Sequence, residues 1–163
     1  MTNKEIKPTG CCPKFNPAPW ENKTLVWKDK LFVKGSVFCL LHTPLNMKKV
    51  ITRMMQKIKA AKATVPLKDF ILLSRDVSSW ESEQYINVSK EVPNAENVKI
   101  SGTFMTKVYE GLYSEAKKWY YEMIKYVESK SEKAKKIYFY YTTCPKCYKA
   151  YGKNYVVVLA QIK

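Results

Sequence analysis

The sequence is poor in the residues on which many catalytic motifs depend. Its 163 residues include five glycines, and no G-x-x-x-x-G-K-[S/T] or G-x-G-x-x-G pattern occurs, so no phosphate-cradling loop is expected. His42 is the only histidine. A Ser–His–Asp triad and a zinc site built on paired histidines are therefore poorly supported. We interpret His42, at the end of an apolar run, as a hydrogen-bonded structural residue.

Long apolar runs are also absent. No stretch approaches the roughly 18 apolar residues of a membrane span, and the first residues, M-T-N-K-E-I-K-P, contain no signal-peptide core. We therefore expect a cytoplasmic protein without a membrane partner. Hydrophobic residues make up 46% of the chain and charged residues 26%, which is typical of one globular domain with a substantial core.

Arginine is scarce although the chain is strongly basic. The formal net charge is +15, yet Arg53 and Arg75 are the only arginines. A positive field favours nucleic acid, an anionic membrane or an acidic protein as a partner. Surfaces that read bases or clamp phosphates rely on arginine, however. A basic interaction protein is therefore the alternative function, and a lysine-rich solvated surface is the simpler interpretation of the charge.

The N-terminal residues 1–24 are predicted to form an arm. Four prolines between Pro8 and Pro19 break any helical or strand period. Phe15 and Trp20 indicate that the arm packs on the domain that follows, at 25–163.

Two similar orders of elements are predicted in that domain, in segments at about 30–93 and 98–163. The clearest stretch is Val98–Lys130, where Phe104 and Thr106 alternate with Met105 and Tyr109 before a helical stripe of apolar residues begins. The first half is predicted to contain a strand at 31–41, a helix at 47–63, a strand at 70–73, a polar turn at 76–83 and a strand at 85–92. The second half is predicted to contain a strand at 100–110, a helix at 114–130 and strands at 136–142 and 155–162. The fold class is therefore α+β, with two strand–helix–strand–strand repeats.

This order and one short motif resemble the GyrI-like small-molecule-binding family. The motif residues are Gly102, Phe104, Tyr109, Gly111 and Tyr113, followed by the helix that contains Trp119. The resemblance covers about residues 25–163. It implies two repeats related by a pseudo-twofold axis in one antiparallel sheet, with helices on one face and a ligand cleft, lined by aromatic and acidic side chains, on the other. Members of the family include drug-sensing domains, gyrase-inhibitor-like proteins and hydrolases of cyclopropane-bearing compounds.

One departure from the family concerns the strand after the second helix. Drug-sensing members carry a glutamate there, whereas this sequence reads I-Y-F-Y-Y at 137–141. This difference disfavours cationic drugs and leaves an aromatic ligand as the expectation.

Aromatic residues are the main candidates for ligand binding. Their flat apolar faces suit a planar ligand, and tyrosine adds a polar tip. Trp119, Tyr120 and Phe139 are interpreted instead as packing between helix and sheet. The candidates are Trp80, Tyr85, Tyr109, Tyr113, Tyr138 and Tyr140.

Three glutamates are the candidates for catalysis. Glu81, Glu83 and Glu110 lie near predicted strand ends or turns, where a cleft would open. A carboxylate in an aromatic pocket has a raised pKa and can act as a general acid or base. The alternative is that each is one surface charge among many lysines.

Cysteines suggest a second type of site. Cys144 and Cys147 form a C-P-K-C turn that can present two thiolates to Zn²⁺, and Cys11 and Cys12 could complete a tetrahedral set. Free thiols and redox chemistry are the alternatives. Cys39, in an apolar strand, is expected to be a buried thiol.

The sequence thus predicts a binder of aromatic or hydrophobic small molecules that could also hydrolyse them. No cofactor is required, and structural zinc is an option. The alternative remains docking to nucleic acid or to an acidic protein such as gyrase.

Overall fold

The computed structural model describes residues 15–142, 149, 152 and 154–163. Short 3₁₀ turns lie at Leu67–Asp69 and Tyr113–Glu115. In chain order the other elements are β1 (Lys23–Leu40), β2 (Thr43–Pro44), α1 (Met47–Ala60), β3 (Leu72–Asp76), β4 (Glu81–Asn87), β5 (Glu96–Glu110), α2 (Ala116–Ser129), β6 (Lys136–Tyr141) and β7 (Tyr155–Gln161).

The strands form one antiparallel sheet that closes on itself. Their order is β2-β1-β4-β3-β6-β7-β5, and β1 also pairs with β5. Closure depends on the length of β1, because its residues 32–38 pair with β4 while residues 23–34 pair with β5. The predicted α+β class and antiparallel pairing are confirmed. The pairing of β1 with β5, however, closes the sheet into a barrel, whereas a simple sheet has two free edges.

β1 begins at Lys23, well before the strand predicted at 31–41. Residues 23–27 pair with β5, and the register then shifts between Trp27 and Lys30, where Asp29 has a left-handed φ of 50°. This bulge breaks the alternation of polar and apolar residues, which is why the pattern did not reveal one long strand. The strand also takes in Lys23 and Thr24, which were assigned to the arm.

The predicted turn at 76–83 is wrong in its second half, because β4 already begins at Glu81. Ser82 and Gln84 face outward and are buried. Ser74 Oγ donates to Gln84 Oε1 at 2.6 Å, and Gln84 Nε2 donates to Ser82 Oγ at 2.9 Å. Polar residues can be buried inside a sheet when hydrogen bonds satisfy their side chains in this way. The polar composition therefore concealed a central strand.

Both helices pack on the outside of the barrel. Met54 and Ile58 of α1 cover Val33 and Ile86. On α2, the buried residues are Trp119, Met123 and Val127, which cover Met105, Val156 and Val158. Each large apolar side chain buried in this way contributes about 1.5–3 kcal/mol. The helical stripe thus determines which face of each strand points outward.

The opposite face of the strands forms the barrel interior. Phe104, whose neighbour Met105 points to α2, is fully buried there, as the period of two predicts. The buried members of this cluster are Phe32, Ile71, Leu73, Tyr85, Ile100, Phe104, Tyr138, Tyr140, Val157 and Leu159. The interior is therefore rich in aromatic side chains.

The described end of the N-terminal arm covers one end of this interior. The rings of Phe15 and Trp20 lie 6.1 and 5.5 Å from that of Tyr140. Thr106 Oγ1 donates a hydrogen bond to the carbonyl oxygen of Trp20. These contacts hold the arm beside the first residues of β1, so access to the interior is restricted at that end.

Two motif glycines allow close approach of other groups. At Gly102 (φ 149°) a Cβ would collide with the carbonyl oxygen of Lys163, and at Gly111 it would collide with the carboxylate of Glu115. At Gly102 the obstacle is backbone, whereas at Gly111 the Glu115 side chain could move and the φ of 155° is what disfavours a side chain. No helix within the described ranges is long and apolar enough to cross a membrane.

Candidate functional site

A column of polar side chains lies on the interior face of β1 and β4. Cross-strand partners project to the same side of an antiparallel pair. Lys34 pairs with Tyr85, Ser36 with Glu83, and Phe38 with Glu81. Lys34 and Tyr85 are on the interior face because Val33 and Ile86, their neighbours, point to α1. The register therefore brings these groups together at the end of the barrel away from the arm.

Glu83 is the centre of this column. Its side chain is 12% exposed. Arg75 Nη1 lies 3.1 Å from Oε2, and Lys34 Nζ lies 3.2 Å from Oε1. The Tyr85 hydroxyl also donates a hydrogen bond to Oε2. One carboxylate thus has three donors, two of which carry a positive charge.

These contacts determine the charge of each group. Burial on its own raises the pKa of Glu83, but the hydrogen bonds from Tyr85, Lys34 and Arg75 outweigh it and hold that pKa below its usual range. The bond to Glu83 raises the pKa of Lys34. Burial, followed by the bond to Glu83, raises the pKa of Tyr85. At neutral pH the site therefore contains a carboxylate, an ammonium, a guanidinium and a neutral phenol.

This state of Glu83 differs from the sequence-based expectation. A raised pKa was predicted for a carboxylate among aromatic rings. The hydrogen bonds from Tyr85, Lys34 and Arg75 reverse the direction, and no motif distinguished these two cations from other basic residues. The period of two along β1 was the available signal for Lys34, because its neighbour Val33 faces α1. Arg75 stands between Ser74 and Asp76, so the sequence offered no such signal for it.

An aromatic wall lies beside Glu83. The ring of Tyr85 is 5.8 Å from that of Tyr138, which in turn is 6.2 Å from Phe104. Tyr140 continues this wall toward the arm and donates a hydrogen bond to the carbonyl oxygen of Phe70 at 3.0 Å. The structure thus brings three predicted ligand-binding tyrosines onto one face. All three side chains are buried.

Glu81 and Trp80 lie at the end of the column away from the arm. Glu81 Oε1 accepts a hydrogen bond from Ser36 Oγ at 3.1 Å. Trp80 is in the turn between β3 and β4 and is 52% exposed. Its indole is therefore at the rim and is not part of the buried wall.

The structure places the other predicted residues elsewhere. Tyr109 is on the helix side of β5, where its ring stacks on Trp119 at 5.6 Å. Burial, followed by the charges of Glu122 and Glu21, raises the pKa of Tyr109 to about 12. Tyr113 follows β5 and makes an edge contact with Tyr141 at 5.5 Å. The prediction that Tyr109 shares a cleft face with Tyr138 is wrong. Tyr109 points to α2, whereas Phe104, which contacts Tyr138, points to the interior, because alternate residues of β5 point to opposite faces.

Glu110 is separated from Glu83 by the length of β5. It is exposed at the end of that strand, whereas Glu96, at the other end, lies 3.7 Å from Lys34. Glu110 borders an open groove of about 360 Å³ lined by Pro17, Ala18, Glu21, Val108, Tyr109 and Tyr155. The three predicted glutamates therefore do not form one site.

The cysteine prediction lies largely outside the described residues. Cys11, Cys12, Cys144 and Cys147 all belong to the remaining part of the chain, so the zinc site stays a prediction. Cys39 is a buried free thiol, as predicted, and burial raises the pKa of that thiol.

Solved structures with the same fold come from several proteins. The C-terminal domain of EcmrR superposes with a TM-score of 0.70 at 11% identity, covering 88% of this chain and 98% of that domain. A hydrolase from Listeria innocua gives a TM-score of 0.62 at 12% identity, covering 88% of this chain and 93% of its own. An uncharacterized conserved protein from Listeria innocua gives 0.65 at 11%, covering 88% and 94%. At these identities the likeness shows the fold alone.

No curated protein matches the sequence. A family model described as "Bacterial hydrolase" matches residues 2–162, nearly the whole chain. The chain therefore belongs to this bacterial hydrolase family.

Proposed function

We propose that this protein binds apolar, aromatic small molecules at the Glu83 end of its barrel and hydrolyses them. The observation that carries the proposal is the Glu83 carboxylate, which is largely buried, faces the interior and contacts Lys34, Arg75 and Tyr85. Buried charges are costly, and a cluster of perturbed ionisable groups beside an apolar wall is typical of functional sites. Membership of a hydrolase family supports the same conclusion.

The aromatic wall suits the apolar part of a substrate. Tyr85 and Tyr138 would contact a planar group, and Phe38, 53% exposed at the end away from the arm, would contact the part nearest to solvent. The opposite end is covered by the arm, so entry occurs at the rim formed by Phe38 and Glu81. The fold is consistent with the GyrI-like resemblance, which implies a ligand cleft on this same face of the sheet.

The polar column suits the addition of water. The ionised Glu83 would hold a water molecule and accept one of its protons while the water oxygen bonds to a substrate carbon. The bond from that carbon to its leaving atom breaks, and Lys34, protonated in the resting state, would donate a proton to the leaving atom. Arg75 would stabilise the negative charge that develops there. The proton on Glu83 then returns to Lys34, which lies 3.2 Å away.

The resemblance narrows the substrate class. Hydrolases similar in motif act on cyclopropane-bearing compounds, in which a strained ring opens when water adds. We propose such strained, apolar electrophiles as the substrate class. No cofactor takes part in this chemistry, since the carboxylate and the ammonium carry the proton transfers.

Mass spectrometry of incubated compounds tests the proposal. A panel of planar apolar compounds, including strained three-membered rings, is first screened by thermal shift, and those that bind are then incubated with the enzyme. We expect the mass of one water to be added catalytically by the wild type. Glu83→Gln should bind with little change in the thermal shift but should lose turnover.

A matched variant controls for the loss of charge near Lys34. Glu96 also contacts Lys34 but is 62% exposed, so Glu96→Gln should keep both binding and turnover. Tyr138→Ala should reduce the thermal shift itself. Turnover that persists in Glu83→Gln, or a panel without any thermal shift, would refute the proposal.

A further inference from the structure

A patch of exposed apolar side chains lies at the C-terminal end of β1. We call it the apolar tip, and its six members are between 44 and 72% exposed. Its residues are Phe38, Leu40, Leu41, Leu45, Val77 and Trp80. Single exposed apolar residues are ordinary, but a contiguous group marks an interaction surface.

Hydrogen bonds between two turns bring these residues together. The amide of Cys39 donates to the carbonyl of Trp80 at 2.7 Å, and the amide of His42 donates to that of Ser79 at 2.9 Å. The amide of Leu45 donates to the carbonyl of Phe38 at 3.0 Å. The turn after β1 and the turn after β3 therefore form one surface.

The backbone at the centre of this surface is held in a disfavoured conformation. Leu41 and His42 have left-handed φ values of 48° and 67°. Branched apolar residues rarely adopt this region, and Leu41 gains no burial from it, since it is 72% exposed. These two residues are the loop of the β1–β2 hairpin, in which Leu40 pairs with Thr43, and a two-residue hairpin loop of this kind needs positive φ at both positions. The turn therefore presents Leu41 to solvent.

Basic side chains adjoin the apolar tip. Leu45 shares an open groove of about 610 Å³ with Lys48, Lys49 and Arg53 in the first turns of α1. The acidic groups nearby are Asp76, whose carboxylate lies 3.5 Å from His42 Nδ1, and Glu81, which accepts a hydrogen bond from Ser36. With a net charge of +15 for the chain, this end of the molecule favours an anionic occupant.

We propose that the apolar tip docks the protein on the surface of an anionic lipid bilayer. Leu40, Leu41 and Leu45 would enter the boundary between headgroups and acyl chains, and Trp80 suits the same zone. Lys48 and Lys49 would contact anionic headgroups. This is peripheral binding, which needs no spanning helix. It does not depend on the hydrolase activity, although it would place the entrance beside Phe38 close to apolar compounds dissolved in the membrane.

Vesicle co-sedimentation of the full chain tests this proposal. The probes are phosphatidylcholine vesicles and vesicles that contain about one third phosphatidylglycerol. We expect binding to the anionic vesicles that is much stronger than binding to the neutral ones. Leu41→Asp should lower the partition coefficient about tenfold, because an inserted leucine is replaced by a charge. Aspartate tolerates the left-handed backbone, so this variant should fold.

Control variants separate insertion from simple charge attraction. Val26 is 75% exposed on β1, outside the apolar tip, and Val26→Asp has the same change in charge, so it should bind nearly as the wild type. Reversal of both charges, Lys48→Glu with Lys49→Glu, should lower binding at least fivefold.

Three results would overturn the proposal. The first is equal binding of Leu41→Asp and Val26→Asp, which would indicate adsorption by charge alone. The second is the absence of sedimentation with anionic vesicles at low salt. The third is a concentration-dependent dimer in sedimentation velocity that Leu41→Asp abolishes, without vesicle binding by the wild type, which would make the tip an interface between two copies of this chain.

Discussion

The clearest prediction from the structure concerns the stability of the Glu83→Gln variant. The substitution keeps the shape of the side chain and removes its charge. Lys34 and Arg75 then face each other without their common carboxylate, whereas Tyr85 can still donate a hydrogen bond to the amide oxygen. The variant therefore isolates the electrostatic part of the interaction.

The expected loss follows from the burial of the partners. Hydrogen bonds to a charged group contribute about 1.5–3 kcal/mol each when they are well buried. Lys34 and Arg75 are 23 and 28% exposed, so solvent screens part of each interaction. We expect a total loss of about 2 kcal/mol, which corresponds to a decrease of about 4–8 °C in Tm for a chain of this length.

The lowered pKa of Glu83 determines how the stability difference between wild type and Glu83→Gln changes with pH. The folded-state pKa of Glu83 is lowered below its ordinary value of 4.5. The stabilisation is therefore fully present above about pH 4.5 and decreases as the pH falls toward the folded-state pKa, because the unfolded chain takes up the proton first. The difference in stability between wild type and Glu83→Gln should be constant near neutral pH and should shrink on acidification.

Urea unfolding at several pH values between neutral and about pH 3, monitored by tryptophan fluorescence, measures the difference in stability between wild type and Glu83→Gln. Glu96→Gln is the control, because Glu96 contacts the same Lys34 but is 62% exposed. It should change stability by less than about 0.5 kcal/mol. Equal midpoints for wild type and Glu83→Gln at neutral pH, or a difference that does not change with pH, would refute the electrostatic account.

Three further predictions concern packing and partners. The Tyr109 hydroxyl is buried without a hydrogen-bond partner in the described part of the chain, so Tyr109→Phe should keep or raise the unfolding free energy by up to about 1 kcal/mol, as measured in urea. Gly102→Ala should lower the Tm measured by calorimetry by several degrees, because the added Cβ would meet the carbonyl oxygen of Lys163. A loss of about 2 kcal/mol is typical of overpacking. An unchanged Tm would show that the C-terminus shifts to make room. If the alternative function is right, the wild type should be retained on a DNA column with a steep salt dependence, and elution at low salt would remove its nucleic-acid form.

The fold illustrates why a period of two can be read in some strands but not in others. In β5, one face meets apolar interior residues and the other meets α2, so the alternation around Phe104 gave the correct faces. In β4, the buried Gln84 donates a hydrogen bond to Ser82 and accepts one from Ser74 of β3, and these polar residues looked like a turn. Composition does not reveal such a network, because it depends on the register that pairs Ser74 of β3 with Gln84 of β4.

The candidate site shows the same limit. Tyr85, Tyr138 and Glu83 were selected from the sequence because aromatic and acidic residues suit a ligand cleft. Lys34 and Arg75 were not selected, although they join Tyr85 in lowering the pKa of Glu83. A lysine-rich sequence offers no means of distinguishing the two cations that contact a carboxylate from those that face solvent.

The sequence by itself determined the class of the fold, the order of its elements and the stripes that bury the two helices, because these follow from local periodicity and from breakers such as Pro66. Only the tertiary structure decided that the sheet closes into a barrel, that Tyr109 and Tyr138 point to opposite faces, and that Glu83 sits between two cations. Each of these depends on the register between strands far apart in the chain, and β1 sets that register by pairing with β4 along one part of its length and with β5 along another.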